Sequence, residues 1–354
     1  MTMTYQIQTV RGPVLPNKLG ITLTHEHFSL TFQKFYVEPP QQLQNYLHGG
    51  ITLENAGLIR QYPYSNKYNL TFDDKETHAA VLTEMQMFNE FGGGTIVENT
   101  SHGLNRNIPL MIEVSQKTGI HVVAGTGYYV AGLQPQSTLQ MSIEDLANVM
   151  HSELTEGCFE DKSVRCGFIG EVGCSWPLHE FEKKVIKATA EVQSSLGCPV
   201  SFHPGRHPKA PFEIMRLFAE AGGKAGKTIM SHLDRTILET ETLLEYASLG
   251  SYLQQDLFGT ECSWYQLEPN TDMLSDAQRI QRIVELISNG LTDRILMAHD
   301  IHTKHRLVKF GGHGFSHIIN NVIPKMEIKG IEREKINQIL MKNPQTWLSS
   351  KVIN

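Results

Sequence analysis

The chain has 354 residues, 40% of them hydrophobic and 19% charged, with a formal net charge of −6. This balance is ordinary for a globular protein; with no lysine- or arginine-rich run it argues against a nucleic-acid partner, and no stretch nears the ~18 apolar residues of a membrane span. The five cysteines (Cys158, Cys166, Cys174, Cys198 and Cys262) show no C-x-x-C spacing, and Met1–Val10 lacks the apolar segment of a signal peptide, so reduced thiols and a cytosolic location are expected.

In chain order, Tyr5–Leu15 reads as a small strand or hairpin that closes a barrel floor. Eight short β-branched runs follow: Ile21–His27, Gly94–Thr100, His121–Tyr128, Val164–Gly173, Pro199–Pro204, Thr228–His232, Ser251–Phe258 and Arg294–Asp300. Several, such as Ile295-Leu296-Met297-Ala298, are apolar without alternation, the mark of strands covered on both faces. Amphipathic stretches of helical period separate them: Lys75–Phe91, Pro109–Thr118, Ser142–Leu154, His179–Leu196, Pro211–Ala221, Glu239–Ala247 and Asp276–Ser288, with a last helix at Glu332–Met341. Eight strand-then-helix units predict a (β/α)8 TIM barrel, one α/β domain over 1–354. The competitor, a doubly wound sheet, puts a glycine-rich loop after its first strand. Here Gly92-Gly93-Gly94 precedes the second strand, as a helix stop and close turn. Phe28–Asn69 is a long loop after the first strand, on the face where barrel enzymes keep their chemistry; it reads equally as a lid or a packed excursion.

The first strand ends in His25-Glu26-His27. Alternation along a strand points both histidines the same way. Later runs end alike, in Gly170-Glu171, Phe202-His203, Ser231-His232 and His299-Asp300. Singly, each has a plainer reading: a hydrogen-bonded histidine, a paired carboxylate, a helix cap. Jointly, they converge at the C-terminal mouth of a barrel, and a cation there satisfies all of them where unpaired burial would be costly. Six such groups exceed the needs of one tetrahedral ion and suit two. His25, His27 and Asp300 are assigned to the more buried ion, His203 and His232 to the more exposed one, and Glu171 to both. The nitrogen and carboxylate donors suit Zn²⁺ first, with Mn²⁺, Co²⁺ and Fe²⁺ as competitors. Two ions would acidify a bound water, and Asp300 is the expected proton carrier.

The same residues resemble the phosphotriesterase family of the amidohydrolase superfamily. The likeness runs from about residue 7 to Trp347, through Leu23-Thr-His-Glu-His27, Gly92–Thr100, Ile169–Pro177, Met230–Thr236 and Ala298–Lys304. Bacterial organophosphate hydrolases of that family bridge their metals with a carboxylated lysine. Glu171 stands there instead, as in the animal, phosphotriesterase-related branch. The resemblance therefore implies an amidase that cleaves N-acetyltaurine to taurine and acetate, with N-acetyl amino acids as secondary substrates. Lactone or phosphotriester hydrolysis on the same core is the alternative, and a silent barrel that only binds a metabolite is the reading from another class.

An anionic N-acyl substrate needs a cationic clamp, and arginine is the natural fork for an oxyanion. Arg206 follows His203 by three positions and Arg235 follows His232 by three; His302 and Lys304 follow the eighth strand. Asn99, Tyr128, Tyr129, Trp176 and Phe258 are expected to line the acyl and linker pocket, and His313 lies in a structured loop near the mouth. Each arginine equally suits an ion pair with a neighbouring carboxylate. The sequence leaves the oligomeric state open, a homo-oligomer included.

Overall fold

A computed structural model describes residues 5–351. It contains β1 (Tyr5–Thr9), β2 (Gly12–Val14), β3 (Ile21–Glu26), β4 (Gly93–Glu98), β5 (His121–Thr126), β6 (Phe168–Gly173), β7 (Val200–His203), β8 (Thr228–Met230), β9 (Tyr252–Gln255), β10 (Ile295–Met297) and β11 (Ser350–Lys351). Strands β3 to β10 form one eight-stranded sheet in chain order, every neighbouring pair parallel. The sheet curls until β10 meets β3. There the Asp300 amide donates to the His25 carbonyl at 3.1 Å, and Thr24 Oγ1 donates to the Met297 carbonyl at 3.5 Å. The result is the TIM barrel that the alternating pattern predicts, with helices between its strands.

Strands β1, β2 and β11 form a small antiparallel sheet. Ile7 of β1 joins Leu19, Val97, Val123, Phe168, Ile229, Tyr252, Leu296 and Trp347 in a separate buried cluster. That cluster draws side chains from six barrel strands, so the N-terminal hairpin belongs to the barrel floor. Gly92, at φ +92°, follows the helix Lys75–Glu90, and a Cβ on Gly94 would lie 2.2 Å from the Leu19 carbonyl. Both glycines act as the sequence implies. Among the described residues no helix is long and apolar enough to cross a membrane, and all five cysteines are free thiols.

The strands stop up to three residues earlier than their apolar runs suggest. His232 (φ 55°) and Asp300 (φ 56°) adopt left-handed backbone, which no strand can continue. The loop after β3 is a packed excursion: Phe28, Leu30, Phe32, Leu47, Ile59 and Tyr64 are buried. Asn66 holds it by capping Asn69 and by donating to the Leu47 and Gly49 carbonyls.

One buried ion pair braces the loops after β4 and β5. Arg106 donates to Glu153 at 2.6 and 3.1 Å, to Glu160 at 2.6 and 3.0 Å, and to the Gly125 carbonyl at 2.6 Å. Burial alone would raise the Glu153 carboxyl, but His102 and Arg106 hold it far below the usual carboxylate range. Its contribution to stability is therefore full above the unfolded value of about 4.5 and fades as pH falls. Arg106→Leu leaves Glu153 charged and buried, and should cost about 3–5 kcal/mol at pH 7. Urea unfolding should show that loss shrinking at pH 4; a loss under 1 kcal/mol, or one that grows on acidification, contradicts the role.

Candidate metal centre

Alternation along β3 sends His25 and His27 into the barrel mouth and Glu26 to the other side. Glu26 accepts hydrogen bonds there from the His299 amide and Nδ1, both at 2.8 Å, and from the Ile301 amide at 3.2 Å. The residue between the two histidines thus pins the turn that presents Asp300.

The strand ends converge. The Glu171 carboxylate lies between two groups: Oε1 is 3.5 Å from His27 Nε2, while Oε2 is 3.4 Å from His25 Nε2, 2.8 Å from His203 Nδ1 and 3.6 Å from His232 Nε2. Asp300 Oδ1 is 3.2 Å from His27 Nε2 and 3.7 Å from His25 Nε2. Three triads with metal-ligand spacing follow at this site, His25–His27–Asp300, Glu171–His203–His232 and, crossing them, His25–His232–Asp256. The structure brings all six predicted residues to one place, with Asp256 beside them.

Does this set suit a cation? His25 Nε2 is fully buried and has no hydrogen-bond partner, an expensive state for a polar atom unless something accepts its lone pair. Burial, aided by His232 and Arg235 against Glu171, pushes His203 down to about 3. Burial would also raise Glu171, but His203 and His25 hold it well below the carboxylate range, and His302, His27 and His232 do the same for Asp300. Ionised carboxylates among converging imidazole nitrogens are a donor set for divalent metals.

Neighbouring groups fix the ring orientations. His25 Nδ1 meets Ser231 Oγ at 3.0 Å, and His27 Nδ1 meets Thr100 Oγ1 at 2.9 Å; that hydroxyl donates to Glu98 at 2.7 Å. Asp256, at the end of β9, accepts from His232 Nδ1 at 2.9 Å and from its amide at 3.0 Å. That amide bond helps hold His232 in its left-handed backbone. Sequence reasoning missed Asp256. Its signal is a buried polar run, Gln254-Gln255-Asp256, where the other strands are apolar. Outer-layer partners of this kind are worth about 10–100-fold in metal affinity. Asp256→Asn should weaken binding at the His203–His232 side by that factor in a chelator competition; unchanged affinity contradicts the assignment.

Above the six residues lies a chamber of about 60 Å³, walled by His27, Tyr129, Glu171, His203, Asp300 and His302 and by Arg206 and Arg235. A second cleft of about 720 Å³ shares Tyr129, His203 and Arg206 with it. Of the expected substrate contacts, Arg206, Arg235, Tyr129, His302 and His313 line the chamber. Five others are placed elsewhere. The Tyr128 ring packs between His102 and Phe181. Asn99 is buried among strand carbonyls, its Nδ2 donating to Thr24 and Val97. Trp176 stacks on His207 in the second cleft. Lys304 is buried against Tyr68 and paired with Asp74, and Phe258 is buried under Arg279.

The comparisons with known proteins agree with this geometry. The sequence matches the phosphotriesterase family over residues 5–348. It is 54% identical to the phosphotriesterase-related protein of Aedes aegypti, over 98% of this chain and 99% of that one. The fold is similar to a resiniferatoxin-binding protein from Rhodobacter sphaeroides (TM-score 0.92, 28% identity, 97% of this chain and 94% of that one). It is also similar to the phosphotriesterase homology protein of Escherichia coli, solved with phosphate in its active site (TM-score 0.76, 25% identity, 94% and 99%). The chain belongs to the phosphotriesterase family, in its phosphotriesterase-related branch, and is a metal-dependent hydrolase of amidohydrolase type.

Proposed function

We propose that this hydrolase cleaves N-acetyltaurine to taurine and acetate in the cytosol, with N-acetyl amino acids as secondary substrates and zinc as its resident ion. One observation carries the choice among the reactions this core supports. Arg206 lines the chamber with its Nε donating to Tyr265 Oη at 2.8 Å, while its terminal amines have no partner and no carboxylate pairs with it among the described residues. A half-buried guanidinium left open is suited to a sulfonate or carboxylate. Arg235 lines the same chamber, and among the described residues its side chain bonds only to Thr236, the Pro204 carbonyl and His203. A neutral lactone or phosphotriester has no use for either cation.

His25, His27 and Asp300 would hold one ion, His203 and His232 the other, and Glu171 would touch both. When bound, the pair supplies an acidified water and a positive charge for the acyl carbonyl. Asp300, kept ionised by its histidines, accepts the water's proton at Oδ2, the oxygen 3.4 Å from His302 Nδ1. It returns that proton to the departing amine, which leaves poorly as an anion. Tyr129, with Oη 3.4 Å from the His203 ring, closes the chamber on the side of the second cleft. Kinetics on N-acetyltaurine, an acyl lactone and an aryl phosphotriester test the proposal side by side. N-acetyltaurine should have the highest kcat/KM; equal or lower turnover than either rival removes the substrate assignment.

A further inference from the structure

The excursion after β3 contributes a cation that neither the ligand set nor the clamp accounts for. Arg60 lies on the helix Ala56–Gln61, is exposed, and still lines the chamber. It forms no hydrogen bond and no ion pair among the described residues, although Glu261 shares the chamber wall. The Glu261 carboxylate is instead engaged by the Asp276 amide at 2.9 Å. The helix is not loosely placed. Ile59 beside Arg60 is fully buried, and Gln61 accepts from the Ser263 amide at 3.0 Å. Burial, Arg306, His302 and lastly Arg60 hold the buried His305 ring well below the usual imidazole range.

Arg60 is exposed, Arg206 half-buried and Arg235 buried, and all three line one chamber. Where that chamber holds acids at its base, those acids belong to the metal set. Cations in a low-dielectric cleft focus the field on an incoming anion. We propose that Arg60 makes the β3 excursion an anion-capture arm, a specificity-determining element that draws an anionic N-acyl substrate to the chamber and passes it to Arg206. This rests on the substrate reading above for the anion's identity, but on the placement of Arg60 for the capture itself.

The test uses the metal-replete full chain and the variants Arg60→Ala and Arg60→Lys. At low salt, Arg60→Ala should raise KM for N-acetyltaurine about 3–10-fold, leave kcat within about twofold, and leave a neutral N-acetyl amide unaffected. The difference should fall below about twofold at ~0.5 M salt, where the screening length is only a few ångströms. Arg60→Lys, which keeps the charge, should stay near wild type. An unchanged KM at low salt, or an equal rise for the neutral amide, overturns the capture role, because a packing defect would not sort substrates by charge. Calorimetry with methanesulfonate, an anion that carries no ammonium group, separates the two claims. If N-acetyltaurine is not turned over but methanesulfonate binding is Arg60- and salt-dependent, the arm stands and only the substrate falls. If turnover occurs and methanesulfonate binding ignores Arg60, the arm falls alone.

Discussion

Asp300→Asn is expected to lower kcat by about 10²–10⁴-fold, the usual value of a positioned proton carrier, with the fold intact. The backbone supports this variant well. Asp300 sits at φ 56°, and asparagine is the residue that best shares aspartate's tolerance of left-handed conformation. The Asp300 amide would still donate to the His25 carbonyl, and Glu26 would still hold His299 and Ile301. What is lost is a negative oxygen beside His27 and the acceptor for the water's proton. Steady-state kinetics beside urea unfolding check this. Loss of activity together with loss of fold leaves the assignment unsupported, and retention of more than a tenth of wild-type kcat contradicts it.

Arg206→Ala has the second largest expected effect, and it falls on KM. Losing a charge-assisted contact to a desolvated anion costs about 2–3 kcal/mol, or roughly 30–150-fold. N-acetyltaurine and N-acetyl amino acids should lose that much in KM, while neutral N-acetyl amides should change by less than about threefold. Among the described residues the Arg206 side chain makes no ion pair that its removal would orphan, so the structural cost should be small. Equal losses on charged and neutral substrates would refute the clamp. A kcat effect larger than the KM effect would place Arg206 nearer the reacting bond than proposed.

The barrel was legible because each strand is a buried apolar run with a helix behind it. The six residues that meet at the barrel mouth were legible because barrel geometry collects strand ends, whatever their spacing in sequence. What the sequence hid depends on contacts through space. Asp256 carries no motif and matters because its carboxylate reaches His232 and lies 3.4 Å from His25 Nδ1. Arg60 lies in a loop whose path cannot be read from its composition. Tyr128 and Tyr129 were both expected at the pocket and only one reaches it: β5 ends at Thr126, Gly127 at φ +108° follows, and Tyr129 but not Tyr128 lines the chamber. Lys304 follows the same strand as Asp300, yet Asp74, at the start of the helix after the excursion, takes its charge. Cationic residues just past a strand could not be sorted into clamps and ion pairs until their carboxylate neighbours were in view.

Every catalytic step assigned above presupposes that Glu171 joins two cations. The most direct measurement is the metal content of metal-replete wild type and of Glu171→Gln, by elemental analysis after exhaustive removal of free ions. Two equivalents per wild-type chain, and a loss of at least one in the variant, are predicted. Less than one equivalent in wild type, or two that persist without the Glu171 carboxylate, would contradict the account.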